Sequence, residues 1–282
     1  MASLQTARSH SNCPPFLRWA GSKRQILPTL SQYWNTRFDR YVEPFAGSAC
    51  LFFHLAPRKA LLGDINQELI RAYRSVRSRH REISRLLRTM RKGKRRYYKL
   101  RSLRPDRLSS EKRAARFIYL NRFCFNGIYR TNGNGYFNVP YGGDGSGSIP
   151  SPEMLLRAAS LLRRATLVCG DFEKVLDRVQ RGDFVYMDPP FVVSNRRVFK
   201  EYDSGVFGRD DVVRLRRRLI ELTAMQVPFV VSYIQSKEGE YLSRGFNVSR
   251  VTVRRNVSGF AYRRRKCREL LISNLPRTPF GA

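Results

Sequence analysis

A short apolar run, Phe184-Val185-Tyr186-Met187, ends abruptly in Asp188-Pro189-Pro190-Phe191. Four consecutive apolar residues read as a strand covered on both faces, the kind found in parallel sheets. Two successive prolines cannot donate to a ladder and they stiffen the chain, so the strand must stop there. A carboxylate, a carbonyl oxygen and an aromatic ring are then held at the carboxyl end of a parallel strand, where open α/β sheets bind ligands. Such a set suits gripping an exocyclic amino group on a flat heterocycle.

Much of the remaining chain alternates as a parallel sheet requires. Residues 40–45 read as a first strand, followed by a turn at Gly47-Ser48-Ala49 and a helix from Cys50. Residues 60–65 read as a second strand. Asn66 can cap the helix after it, in which Leu69, Ile70, Tyr73 and Val76 recur at helical spacing. Arginine-rich helices are expected over roughly 78–126. Residues 127–151, dense in Gly, Asn, Ser and Pro and carrying Tyr129, Tyr136, Phe137 and Tyr141, read as a loop or small hairpin. The α/β rhythm resumes with a strand at 166–169 closed by Gly170-Asp171-Phe172, the strand before Asp188, a helix over 211–225 and a strand over 228–234. Residues 246–255 and 269–273 alternate as an antiparallel edge pair. The expected organisation is an α/β domain over 16–77 and 166–275, a basic helical insertion over 78–165, and a disordered tail over 1–15.

The charge balance indicates the partner. Lys and Arg total 54 against 22 Asp and Glu, a formal net charge of +32. Self-repulsion on that scale opposes compaction unless a polyanion offsets it. Nucleic acid fits better than an anionic membrane, which would be read by a basic amphipathic helix with a Trp/Phe/Leu face, and the sequence shows none. A C-terminal run of Arg254-Arg255, Arg263-Arg264-Arg265-Lys266 and Arg268, interleaved with Phe260 and Tyr262, reads as phosphate contacts. The five cysteines (13, 50, 124, 169, 267) stand apart and His10, His54 and His80 are dispersed. That argues for a reducing compartment, expected to be the cytoplasm, and against a metal site. No run is long enough to span a bilayer, and the N-terminus lacks a signal-peptide core.

Two more strand ends supply a candidate ligand crevice. Glu43-Pro44-Phe45-Ala46-Gly47-Ser48-Ala49 places a tight glycine turn after the first strand, and Asp64 and Ile65 end the second. The glycine lets a ligand approach the backbone, and the acid can hydrogen-bond a ribose diol. A dinucleotide site would want G-x-G-x-x-G for a pyrophosphate. Here one glycine stands near Glu43, which repels phosphate but suits a sulfonium or ammonium, pointing to S-adenosylmethionine. A plain strand-turn-helix is the competing reading. Asp171 can bind an adenine amino group with Phe172 alongside the ring, or the two are a turn and a core aromatic. Trp19 and Lys23 lie before the first strand, where a helix start packed by Trp19 is equally consistent.

Five motifs, in order, carry a resemblance: F-L-R-W-A-G-S-K at 16–23, E-P-F-A-G-S-A at 43–49, G-D-I-N at 63–66, L-N-R-F-C-F-N-G-I-Y-R at 120–130 with F-N-V-P-Y-G at 137–142, and D-P-P-F at 188–191. Together they resemble the DNA adenine methylase (Dam-like) family, class-α amino-methyltransferases, over about residues 16–274. The resemblance implies a Rossmann-like methyltransferase fold with a mostly helical target-recognition insertion. It implies S-adenosylmethionine contacts at Trp19, Lys23, Asp64 and Asp188, joining Glu43, Phe45, Gly47, Ile65, Asp171 and Phe172 from the crevice reading. It places Arg130 on the arginine that reads a guanine edge, Arg18 on a lysine approaching the DNA, and Ile128 and Pro140 on recognition positions, with Asn126 beside them. Expected partners are double-stranded DNA and a cognate restriction endonuclease, for a monomer or weak dimer associated with the nucleoid.

Three departures stand out. Ala49 replaces the second glycine of F-x-G-x-G and is expected to narrow the cofactor turn. Phe191 replaces a tyrosine. Gly143-Asp144-Gly145-Ser146-Gly147 departs where a GATC target would be read.

The chemistry needs no family name. The lone pair of adenine N6 is delocalised into the ring. The Asp188 carboxylate and the Pro189 carbonyl can accept its hydrogens and free it for in-line attack on a methyl group. Pro190 keeps the turn rigid, and Phe191 offers a stacking face to a base flipped out of the duplex. The alternatives are N4-cytosine methylation, which uses the same amino-group geometry, and a catalytically inactive DNA-binding relative.

Overall fold

The computed structural model describes residues 13–192, 207–255 and 265–276. Among them one sheet holds β1 (Arg40–Glu43), β2 (Ala60–Asp64), β3 (Ala165–Cys169), β4 (Asp183–Met187), β5 (Phe229–Ile234), β6 (Asn247–Arg255) and β7 (Arg265–Ser273). The helices are α1 (Leu27–Ser31), α2 (Cys50–Leu55), α3 (Gln67–Arg88), α4 (Lys94–Ser102), α5 (Ser110–Phe123), α6 (Pro152–Leu162), α7 (Phe172–Leu176), α8 (Arg209–Ala224) and α9 (Lys237–Ser243). Strand order is β3-β2-β1-β4-β5-β7-β6, with β7 antiparallel to both neighbours and the other pairs parallel. This is a Rossmann-like sheet. Winding reverses between β1 and β4, so a crevice opens beyond their carboxyl ends. Residues 43–47 follow one of those strands and residues 188–191 the other.

Both faces of the sheet are covered. Tyr41, Leu62, Phe184, Tyr186 and Val230 join one apolar cluster with α1, α2 and α3, while Val42, Leu61, Val185, Met187 and Val231 join the other with α7, α8 and α9. Period-two alternation thus puts apolar groups on each side, which is why the strands read as continuous apolar runs. Gly63 lets α7 lie directly on β2: a Cβ there would stand 2.2 Å from Val175 Cγ2.

Strand β1 stops at Glu43, short of the expected Phe45, because Pro44 has no N–H to give the ladder. Asn66 caps α3 as expected, accepting from Leu69 N at 3.1 Å. Two short helices were not foreseen. Asp171 caps α7 through Glu173 N (2.9 Å), and Ser236 caps α9 through Gly239 N (3.2 Å). Both sequences have a capping acid or hydroxyl but too few residues for a periodicity.

Helix α3 runs through residues 77 and 78 and bends at Arg79 (φ −134°, ψ 33°), whose guanidinium meets Glu111 of α5 at 2.9 Å. It packs against α5 and α6, and α4 packs against α5. Buried Arg116 joins α5 to α4 through the carbonyls of Leu100 (2.8 Å) and Arg101 (2.9 Å). Residues 127–151 include a small hairpin, with bridges between Thr131 and Phe137 and between Cys124 and Tyr141. Cys13 and Pro15, assigned to the expected tail, are buried; residues 1–12 lie outside the described residues. So do Arg263, Arg264, Phe260 and Tyr262 of the basic run, whereas Arg254, Arg255, Arg265 and Lys266 fall in the paired ends of β6 and β7.

Candidate active site

Residues 43–47 and 188–191 line one open cleft of about 1470 Å³ together with Trp19, Lys23, Asp64 and Ile65. On its β1–β2 side, Gly47 has φ +46°, and a Cβ there would stand 2.9 Å from the Trp19 indole. Only glycine fits that turn. Its N–H donates to Asp64 Oδ2 (2.9 Å), its carbonyl accepts from Tyr73 Oη (2.5 Å), and Asn66 N–H donates to Asp64 Oδ1 (2.8 Å). Asp64 therefore ties the glycine turn to the start of α3. Burial raises its pKa, and the two backbone N–H groups oppose the rise.

Around that turn the wall is aromatic and apolar. Trp19 stacks on Tyr129 (6.2 Å, 13° between planes) and Phe45 on Phe172 (5.3 Å, 28°). Ile65, 61% exposed, faces outward as an unused apolar surface. Asp171 is engaged beyond its capping bond: its Oδ1 meets Arg214 at 2.6 Å, and that guanidinium lies 4.8 Å from the Phe172 ring centre. Flat apolar faces and an acid suit the adenosyl part of S-adenosylmethionine, whereas the Gly47 backbone is itself buried beneath Trp19 with its N–H and carbonyl both bonded.

On the β4 side the structure brings together residues far apart in sequence. Lys23, 4% exposed, places Nζ 2.8 Å from Asp188 Oδ1 and 3.6 Å from Glu269 Oε2. Its ammonium also lies 5.3 Å from the centre of the Phe191 ring, which packs edge-on against Tyr233 (5.1 Å, 85°). Glu43 is buried and accepts from Tyr41 Oη at 3.0 Å. Burial pushes its carboxyl well above the ordinary range despite that bond, and Asp188 and Asp64 add to the rise. The sequence reading gave Glu43 a fixed negative charge. In the free protein that charge is strongly disfavoured, and a cation in the cleft would restore it. The buried Tyr186 hydroxyl, also in the cleft wall, has no hydrogen-bond partner among the described residues. An orphaned polar atom of this kind fits a cleft built to hold a polar ligand.

The expected DNA-binding residues separate into two groups. Arg18, Asn126 and Ile128 line the cleft. Asn121 on α5 clamps the Arg18 backbone from both sides, accepting from its N–H (2.8 Å) and donating to its carbonyl (2.6 Å). Arg130 and Pro140 are exposed on the hairpin outside the cleft wall, with Arg130 Nε donating to Asn138 Oδ1 at 2.7 Å. The two ends of the glycine-rich segment pack closely, where Cβ atoms at Gly142 and Gly147 would stand 2.7 Å from Cys124 O and 2.2 Å from Arg122 O, whereas Gly143 and Gly145 between them face open space. Burial, with Arg18 and Arg24 nearby, lowers Arg122 to about 10.

Ala49 requires a correction. It does not border the cleft, so it narrows nothing; its methyl is buried in the core, and its cost is the left-handed backbone, φ 49°, at the start of α2. Sequence reasoning also passed over Tyr186, Arg214, Ser232 and Glu269. A lone acid opening the apolar end of a strand was the available signal for Glu269. Among the described residues no three His, Cys, Asp or Glu side chains group to hold a metal ion, and no helix is long and apolar enough to cross a membrane.

Known proteins resemble this chain along most of its length. The family model described as D12 class N6 adenine-specific DNA methyltransferase matches residues 19–257. A type II methyltransferase of Lactococcus lactis subsp. cremoris, M1.LlaDCHI, is 36% identical over 93% of this chain and 96% of its own length. The type II methyltransferase M.MjaIII of Methanocaldococcus jannaschii is 33% identical over 92% and 98%. A DNA adenine methylase of Vibrio cholerae is 29% identical over 91% and 94%.

Proposed function

The chain belongs to the D12 class N6 adenine-specific DNA methyltransferases, and on that premise we propose how its cleft divides the work. The glycine turn, Asp64 and the aromatic wall hold S-adenosylmethionine, which supplies an activated methyl group on a sulfonium. Trp19 covers Gly47, Asp64 bonds the ribose, and Ile65, Phe45 and Phe172 pack the adenine, with the exposed side of Asp171 toward its amino group. Residues 16–77 and 166–275 serve donor binding and catalysis, and residues 78–165 present the DNA.

The target adenine leaves the duplex and lies against Phe191. The Asp188 carboxylate and the Pro189 carbonyl accept its two amino hydrogens, which draws N6 toward tetrahedral geometry and exposes its lone pair. Lys23 orients Asp188 through their 2.8 Å contact. Asp188 need not be a strong base, because the amino proton becomes acidic as the methyl group arrives. Arg130 reads a guanine edge beside the target, and Arg18 with other arginines binds phosphates.

One observation carries this reading: the turns after β1 and β4 line a single cleft, with the buried Lys23 ammonium on the Asp188 carboxylate. The test is Asp188→Ala in single-turnover methylation of duplex DNA, with binding measured in parallel. Methyl transfer is expected to vanish while salt-sensitive DNA binding is retained. A mutant that methylates at the wild-type rate refutes the assignment.

A further inference from the structure

Arg214 of α8 lines the cleft, yet methyl transfer as described above gives it no part. Its guanidinium is held by three carboxylates. Nη2 donates to Asp171 Oδ1 and to Glu173 Oε2, both at 2.6 Å, Nε donates to the same glutamate oxygen at 2.9 Å, and Nη1 donates to Asp211 Oδ1 at 2.7 Å. The other oxygen of Asp211 accepts from Gly208 N–H at 2.8 Å, which fixes the chain directly after Phe207. The Phe207 ring meets Phe45 (5.9 Å, 80°) and Phe172 (6.1 Å, 53°). Arg214 thus pins the end of α7 that carries Asp171 and Phe172 to the end of α8 that follows Phe207.

The consequence falls on Asp171. Its Oδ1 accepts from Glu173 N–H (2.9 Å) and from Arg214, while its Oδ2 takes no hydrogen bond from the described residues, and the side chain is 40% exposed. With the capping bond alone, the carboxylate could turn about its Cβ–Cγ bond and exchange its two oxygens. A second, charge-assisted bond from another helix holds its plane. The guanidinium can impose a direction because Glu173 and Asp211 fix its own rigid fork. Arg214 is 35% exposed, and ion pairs so placed add little to stability, so the arrangement suits orientation better than holding the fold together.

We infer that Arg214 is a positioning residue of the adenine subsite: it turns the open oxygen of Asp171 toward the donor's amino group and so sets the preference of the cleft for an amino purine. This rests on the donor site proposed above. Arg214 acts through Asp171 and touches no reacting atom.

Calorimetric titration with S-adenosylhomocysteine and S-inosylhomocysteine separates positioning from packing. The inosyl ligand has a carbonyl oxygen where adenine has its amino group, and differs elsewhere only by a proton on the neighbouring ring nitrogen. The wild-type protein is expected to prefer the adenosyl ligand roughly ten- to hundredfold, the order of one hydrogen bond to a charged acceptor. Arg214→Met removes the donors and keeps much of the side-chain length. Misalignment that forfeits about half of the bond should lower the preference roughly three- to tenfold. A merely structural arginine would weaken both ligands alike, and an unchanged ratio in Arg214→Met would overturn the inference. Should that variant bind neither ligand, Arg214→Lys decides, because it keeps the charge and loses the fork: a reduced ratio supports the inference and a wild-type ratio overturns it. Wild-type protein that binds neither ligand would instead overturn the donor-site reading, and wild-type protein that binds both equally would overturn the role of Asp171 and this inference with it.

Discussion

Gly63 offers a sharp test of how the sheet supports the donor crevice. A Cβ at this position would stand 2.2 Å from Val175 Cγ2, inside any tolerated contact, and Val175 is fully buried on α7. Valine has little χ1 freedom with which to give way. Gly63→Ala should therefore cost about 1–3 kcal/mol by overpacking. Val175→Ala alone removes two buried carbons and leaves a void, costing about 2 kcal/mol. The double mutant removes the clash and refills part of the void, so it should be more stable than the sum of the singles by about 1–3 kcal/mol. Thermal unfolding resolves this, since each kcal/mol shifts the midpoint by roughly 2–4 °C for a domain of this order of size. The effect reaches the site because the Gly63 carbonyl accepts from Ala46 N–H at 2.8 Å, just before the Gly47 turn. Donor affinity should fall in Gly63→Ala and recover in the double mutant. Strict additivity, or recovered stability without recovered binding, would refute the idea that α7 and the glycine turn are coupled through β2.

Ala49→Gly should be nearly neutral, within about 0.5 kcal/mol, because relief of the left-handed backbone offsets the lost buried methyl; a chemical-denaturation loss above about 1 kcal/mol would contradict that. Binding of S-adenosylmethionine should release protons and tighten as pH rises above the ordinary carboxylate range, because the raised carboxyl of Glu43 ionises when a cation arrives. Calorimetry in buffers of different ionisation enthalpy reads this, and equal proton release with S-adenosylhomocysteine would assign the protons elsewhere. Neutralising about 6–10 phosphates should make DNA affinity fall about 10³–10⁵-fold between 50 and 200 mM salt, and a flat dependence would detach the basic charge from DNA. Arg130→Ala should relax discrimination at one base position by about 1–3 kcal/mol; a uniform loss at all sequences would make Arg130 a phosphate contact.

The parts of the site visible in the sequence are those governed by local backbone chemistry. Pro189 and Pro190 end a strand wherever they occur, Gly47 allows a backbone that other residues resist, and Asn66 caps the helix immediately after it. The Asp64 position followed from the end of β2, although its bonds to Gly47 and Asn66 did not. What could not be read depends on pairing between distant segments. Nothing near Lys23 indicates that its ammonium reaches Asp188 and Glu269, because that contact requires β4 and β7 to flank β5 in the sheet. Likewise Arg214 meets Asp171 only because α7 and α8 cover the same face. Ala49 misled for the opposite reason: its neighbours spell a cofactor turn, but its methyl points into the core.

The central claim is that the cleft between residues 43–47 and 188–191 methylates adenine N6 in DNA. Duplex DNA incubated with the protein and S-adenosylmethionine, digested to nucleosides and resolved by mass spectrometry, tests it directly. N6-methyladenine should form with the wild-type protein and be absent with Asp188→Ala. N4-methylcytosine in its place, or N6-methyladenine undiminished by that substitution, would contradict the claim.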